Sequence, residues 1–216
     1  MTGDRPLMTA FKPTVFVVDD DASVRRGLSY LLRSAGYKVE TFSSAEAFLQ
    51  RGQFGDIGCI VLDVRMPGMS GLDLQEELGR QTYHMPIIYI TGHGDIPMGI
   101  KAMKKGAVDF LPKPFDDKQL LQAVESALGK ARREKETLDE TQCIRMRLDK
   151  LTPREYETFR YVIAGLLNKQ IALKLNIAEQ TVKVHRGRIM EKLKVTSVAE
   201  LVRLAEKAGI KPPEDK

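Results

Sequence analysis

Tryptophan is absent from the 216 residues, cysteine occurs only twice, and no uninterrupted apolar run approaches the roughly 18 residues that a membrane-spanning helix needs. Cys59 lies in an apolar run and Cys143 in a charged one; two thiols are too few for a disulfide framework and fit a reducing compartment. The opening stretch MTGDRPLMTAFKPT has no long apolar h-region, so a cytoplasmic location and no membrane partner are expected. Low-complexity tracts are also missing, which argues against a disordered or fibrous chain. What is present, 43% apolar residues, suffices for an ordinary core in one large domain or two small ones.

The net charge of +5 is unevenly placed. Residues 1–129 carry 14 Lys and Arg against 16 Asp and Glu, whereas residues 130–216 carry 20 against 13. A mildly acidic front and a basic back allow a polyanionic partner for the second part.

In the front part, short apolar runs alternate with amphipathic stretches. TVFVVDD, KVETF, IGCIVLD, PIIYITG and VDFLP read as strands. Between and after them, ASVRRGLSYLLRSAG, the stretch around Ala45 to Leu49, GLDLQEELGR, DIPMGIKAMKKGA and DDKQLLQAVESALGK read as helices. The apolar runs have no clean period of two, as expected for parallel strands covered on both faces. An α/β doubly wound domain with a five-stranded parallel sheet follows. Right-handed crossovers then bring every strand C-terminus to one edge, where such sheets keep their chemistry.

That edge would gather Asp19, Asp20 and Asp21 after the first strand, Asp63 after the third, Thr91 and Gly92 after the fourth, and Lys113 and Pro114 after the fifth. Carboxylates brought together repel unless a cation joins them, and an all-oxygen set suits Mg²⁺, with Mn²⁺ as a substitute. Asp63 could then attack a phosphoryl donor directly, with Lys113 and Thr91 serving the new phosphoryl oxygens. Taken singly, each residue has a plainer use: Asp20 as a helix cap, Thr91 as a turn hydroxyl, Lys113 as a solvated cation, Phe110 as core.

The whole ordered set, VVDDD, LDVRMPGMSG, YITGHGD and FLPKPF, resembles the receiver domain of two-component response regulators, over residues 13–129. The resemblance implies a flavodoxin-like fold and a phospho-acceptor at Asp63. It places the acidic pair at Asp20 and Asp21, leaving Asp19 outside as an end-of-strand residue. Mg²⁺ would be held by Asp20, Asp21, Asp63 and the backbone carbonyl of Arg65. Thr91 and Phe110 would be the switch positions, and Lys113 the lysine that usually precedes a cis proline. Haloacid-dehalogenase-type phosphatases also phosphorylate a strand-end aspartate, but carry a second aspartate two residues later; here that position is Arg65. Without that acid or base, the phospho-aspartate should persist rather than turn over, so a turnover enzyme is not expected.

Residues 130–148 are charged and free of Pro and Gly, so the fifth helix is expected to run on into them as a rod, the alternative being a flexible polar tether because Lys135 breaks the apolar stripe. Thr152, Pro153 and Glu155 then spell a capping box. Tyr156, Phe159, Val162 and Ile163 supply the inner face of the helix that follows. Asn168 can cap a short second helix, NIA makes a turn, and EQTVKVHRGRIMEKLK and SVAELVRLAEKAG form two more helices. The result is an all-α, four-helix, helix-turn-helix unit over residues 149–211. On the third of these helices Val182, Ile189 and Leu193 face inward, leaving Thr181, Lys183, Arg186, Arg188 and Lys192 for DNA contact. Lys169, at the start of the second, is placed to meet a phosphate. A basic solvated face on a protein-binding domain is the plainer alternative.

LTPREYE, NKQIA, TVKVH and MEKLKV resemble the LuxR-type DNA-binding domain of the NarL/FixJ class of regulators. The resemblance adds Val184 to the reading surface, makes His185 structural, and assigns dimerisation to the last helix around Val198, Leu201, Val202 and Ala205. Two positions depart from the family: Ala178 stands where a capping serine is common, and Gly187 where relatives offer a basic side chain. Both resemblances together imply a FixJ-like response regulator. A sensor histidine kinase would phosphorylate Asp63, and a homodimer would bind double-stranded promoter DNA, with RNA polymerase as a further partner. The alternative is a phosphorylation-independent interaction module with constitutive DNA binding.

Overall fold

The computed structural model describes residues 13–52, 57–80, 85–92 and 96–213. The opening stretch read for a signal peptide lies almost wholly outside them. The chain divides into two compact units, residues 1–135 and 136–216.

In the first unit β1 (Thr14–Val18), β2 (Lys38–Phe42), β3 (Gly58–Asp63), β4 (Ile87–Thr91) and β5 (Asp109–Pro112) form one parallel sheet in the order β2-β1-β3-β4-β5. Helices α1 (Ala22–Ser34), α2 (Ala45–Arg51), α3 (Gly71–Gly79), α4 (Ile96–Lys104) and α5 (Asp117–Leu148) alternate with the strands. The sheet is apolar on both faces because both are covered. Val15, Val17, Val61, Ile88 and Ile90 pack with Leu28 and Leu32 of α1 and Leu120 and Val124 of α5. Phe16, Val18, Ile60, Leu62 and Tyr89 pack with Phe48 of α2, Leu74 of α3 and Ala102 of α4. Successive residues of a strand therefore serve opposite cores, which explains the missing period of two.

Local signals set the boundaries. Asp21 caps α1, Ser44 caps α2, and Ser70 with Asp73 forms a capping box on α3. Gly36, at φ +90°, takes the left-handed turn after α1. α5 continues to Leu148 as the charge-rich, Pro-free sequence suggested, but its last two turns are not mere linker. Ile144 and Leu148 are buried in the core of the second unit.

That unit holds α6 (Pro153–Ile163), α7 (Asn168–Leu175), α8 (Glu179–Leu193) and α9 (Val198–Lys207) around Phe159, Val162, Ile171, Val182, Ile189, Leu193, Leu201 and Leu204. The capping box at Thr152 and Glu155 forms as the sequence spells it. Tyr156, expected on the inner face, is exposed. Asn168 does not cap α7; it is the first helical residue, and its side-chain oxygen accepts from Arg186 at 3.1 Å. Ala178 starts α8 without a side-chain cap, and Asn176 does not replace it, because it closes α7 at φ 53°. Among the described residues no helix is long and apolar enough to cross a membrane.

Glu155 is almost fully buried, and Lys192 Nζ donates to its Oε2 at 2.6 Å. Burial alone would push this carboxyl up, but Lys192 and the Thr152 donors outweigh it and hold it below its ordinary value. A depressed carboxylate contributes stability that is present above its unfolded-state value and lost as pH falls through the folded one. Acid titration of unfolding should therefore show a loss from about pH 4.5 downward that Glu155→Gln removes. At neutral pH Lys192→Met, which leaves the carboxylate unpaired, should cost about 2–3 kcal/mol by urea denaturation.

Candidate functional site

Strand register decides which aspartates meet. Val18 pairs with Leu62 across β1 and β3, so the next residue, Asp19, comes level with Asp63. Asp63 pairs with Ile90 on β4, which puts Thr91 one step beyond it, and Thr91 pairs with Pro112 on β5. Lys113 follows directly, its backbone N–H donating to the Thr91 carbonyl at 2.6 Å, and its peptide bond to Pro114 is cis.

The Lys113 ammonium donates to Asp19 Oδ2 and to Asp63 Oδ2, both at 2.8 Å. Asp19 is 0% and Asp63 7% exposed, so these charges sit at the sheet edge with little water of their own. Burial pushes the Asp19 carboxyl up, and the hydrogen bonds from Lys113 and from the Asp21 amide (2.8 Å) only partly offset it. Burial would lower the Lys113 ammonium, but its hydrogen bonds to Asp19 and Asp63 and their negative charge raise it on balance. The second oxygen of Asp63, Oδ1, accepts from the Arg65 amide at 3.1 Å.

Carboxylate oxygens of Asp19, Asp20 and Asp63 lie within 4.8 Å of one another. Asp20 is exposed, Asp19 and Asp63 buried, giving an all-oxygen group open on one side, a donor set that suits a hard divalent cation. The cluster corrects the sequence reading in one respect: Asp19, set aside as an end-of-strand residue, belongs to it, and Asp21 does not. The Asp21 carboxylate is used at the head of α1, accepting from the Ser23 amide at 2.7 Å and its hydroxyl at 2.6 Å. Those bonds, the Ser23 hydroxyl foremost, draw it below its ordinary range. The register is the reason, since two residues past Asp19 the chain has already left the sheet edge.

Thr91 is buried at the end of β4, and Phe110 is half-buried on β5. The Phe110 ring lies where a side chain on Gly99 would be: a Cβ there would meet ring carbons at 2.8–2.9 Å. Three contacts that no sequence pattern pointed to fix the loop after Asp63. The Tyr89 hydroxyl lies 3.0 Å from both the Gly71 carbonyl and Gln75 Oε1, and Glu46 Oε1 accepts from the Met69 amide at 3.0 Å. Gly71 itself is required, since a Cβ would stand 2.3 Å from the Asp63 carbonyl oxygen.

In the second unit Lys169, Thr181, Lys183, Val184 and Arg188 are exposed. Arg186 is half-buried and donates to Asn168 Oδ1 at 3.1 Å, and half-buried Lys192 donates to Glu155 Oε2 at 2.6 Å. Gly187 leaves an open gap on the same helix.

Residues 15–125 match the family model for the response regulator receiver domain, and residues 149–205 that for bacterial regulatory proteins of the luxR family. Nodulation protein W of Bradyrhizobium diazoefficiens is 49% identical over 92% of this chain and 88% of its own length. Response regulator protein TmoT of Ectopseudomonas mendocina is 48% identical over 94% of this chain and 92% of its own. The solved structure of response regulator StyR aligns with a TM-score of 0.81 at 53% identity, covering 91% of this chain and 99% of that one. Full-length FixJ from B. japonicum aligns with a TM-score of 0.56 at 44% identity, over 92% and 98%.

Removing one acid at a time should separate ligands from caps. With a divalent cation that the cluster binds, at about a hundredfold over its dissociation constant, the intact chain should gain on the order of 3 kcal/mol in denaturant stability. Asp19→Ala and Asp20→Ala should lose that gain, whereas Asp21→Ala should lower the metal-free baseline and keep it.

Proposed function

The chain belongs to the NarL/FixJ class of response regulators, a receiver followed by a LuxR-type helix-turn-helix domain, and from that membership we propose that Asp63 is the phosphoryl acceptor. Receivers of this family accept a phosphoryl group and do not turn over a substrate. The observation that carries the assignment is the Lys113 ammonium shared by Asp63 and Asp19 at the sheet edge. In the proposed step an Asp63 carboxylate oxygen attacks phosphorus of a phosphohistidine on a sensor kinase. The P–N bond breaks, its electron pair returns to the imidazole, and an acyl phosphate forms.

The residues present fit a divalent ion: Asp19, Asp20, Asp63 and the Arg65 carbonyl would hold Mg²⁺, or Mn²⁺ in its place. Such an ion would supply charge that lets a dianionic donor approach the acidic edge. Lys113 exchanges its bond to Asp63 for one to a phosphoryl oxygen, and Thr91 donates its hydroxyl to another. Phe110 then buries further against α4, and the surface from Ile96 to Phe110 repacks; the side chains of residues 96–98 lie outside the described ones. Arg65, where a phosphatase would place its acid or base, leaves water without a positioned partner, so the phosphoryl state persists.

Pairing of two phosphorylated receivers would raise the effective concentration of two half-site readers on cytoplasmic promoter DNA. Thr181, Lys183, Val184 and Arg188 of α8 would face the major groove, and Lys169 a phosphate. RNA polymerase is the partner such a bound dimer would serve.

Selection of genomic fragments by the chain, with a small phosphodonor and Mg²⁺, tests the reading. Affinity for the recovered fragments should rise on the order of a hundredfold on phosphorylation. Asp63→Asn should abolish that rise, and equal binding with and without donor would instead mean constitutive DNA binding. Lys169→Ala should weaken every fragment alike and lower the salt slope by about one. Arg188→Ala should blur the selected sequence.

A further inference from the structure

α1 carries three arginines, Arg25, Arg26 and Arg33, and no acid. Together with Ser29, Tyr30 and Ser34 of the same helix and Thr41 of the edge strand β2, they line an open groove of about 660 Å³. Arg25, Ser29 and Arg33 follow one another at four-residue spacing, as do Arg26, Tyr30 and Ser34, so two adjacent stripes run about 12 Å along the helix. Two of the guanidiniums are held in place by backbone: Arg25 donates to the Asp19 carbonyl at 2.6 Å and Arg33 to the Val39 carbonyl at 3.2 Å. A guanidinium has five N–H donors, so each retains several for a ligand while its position is already fixed. Among the described residues no carboxylate pairs with any of the three. Asp21, at the head of the helix, keeps its carboxylate on Ser23.

Uncompensated positive charge alone would be ordinary solvated surface. Here it is combined with three aliphatic hydroxyls and with Tyr30, 81% exposed and the most exposed aromatic ring among the described residues. An aromatic face beside forked donors suits a ligand that has both a planar ring and a phosphate. We propose that the α1–β2 groove is a binding site for a small phosphate ester of the nucleotide class, its phosphate on Arg26 and Arg33 and its base against Tyr30. The groove volume falls in the range of small-molecule sites. The site is separate from the acidic cluster and does not depend on whether Asp63 is phosphorylated; Arg25 lines the groove and donates to the Asp19 carbonyl.

The test uses the full chain in Mg²⁺-free buffer, titrated with adenosine monophosphate and, separately, with inorganic phosphate, and followed by backbone amide NMR shifts. Shifts should cluster within residues 22–41, with the mononucleotide binding more tightly than phosphate. The double variant Arg26→Gln, Arg33→Gln should weaken both ligands on the order of tenfold or more. Tyr30→Ala should bring the mononucleotide down to the affinity of phosphate and leave phosphate unchanged. All three side chains are exposed, so urea midpoints matching the parent check the fold. Shifts confined to the basic α8, or to the acidic cluster, or affinities indifferent to these substitutions, would overturn the proposal. Tight binding of phosphate with no preference for the mononucleotide would overturn the assignment to nucleotides.

Discussion

One ammonium between two nearly dry carboxylates is the interaction on which the first unit depends. Asp19 and Asp63 end adjacent strands, and without Lys113 they would face each other across the sheet edge at a cost that burial makes worse. The pairing brings together segments 94 and 50 residues apart, so it exists only once β1, β3 and β5 are in register. It is also a contact that can be exchanged. On the proposed reading, incoming phosphoryl oxygens would offer Lys113 the same negative charge that Asp63 offers, so the residue that balances the two carboxylates would also balance the phosphorylated site.

The loop after Asp63 is fixed more tightly than a surface turn needs to be. Glu46 from α2 holds Met69, Tyr89 from β4 reaches Gly71 and Gln75, and Gly71 lies so close to the Asp63 backbone that only glycine fits. Tyr89 is two residues before Thr91 on the same strand and is completely buried. The loop after Asp63 and the strand that ends in Thr91 are therefore one packed object, joined by a few close contacts.

In the second unit the same competition between charge and packing divides a basic helix into two populations. Lys192 is drawn to Glu155 and Arg186 to Asn168, so both hold α8 against its neighbours, while Thr181, Lys183, Val184 and Arg188 remain on the open face. A count of positive residues cannot make this distinction, because the acceptors lie on α6 and α7. Glu155 shows how one residue serves two levels at once. Its capping role is local and spelled by Thr152 three positions earlier, whereas its pairing with Lys192 spans 37 residues.

Much of the architecture was legible in the chain itself. Short apolar runs without a period of two gave the five parallel strands, the Thr152 and Glu155 box gave the start of α6, and the charge-rich, Pro-free stretch after residue 129 gave the continuation of α5. These are short-range effects, set by backbone sterics, side-chain oxygens that reach nearby amides, and burial with a fixed period. Which of three consecutive aspartates joins the site was not legible, because VVDDD reads alike in any register. Pairing of Val18 with Leu62 brings Asp19 beside Asp63 and leaves Asp21 to the helix. Nor could the sequence show that Tyr156 faces outward, that Asn168 takes a bond from Arg186, or that Ile144 and Leu148 belong to a core. Each is settled by a partner brought close only by folding, and partners far apart along a chain leave no periodic trace in it.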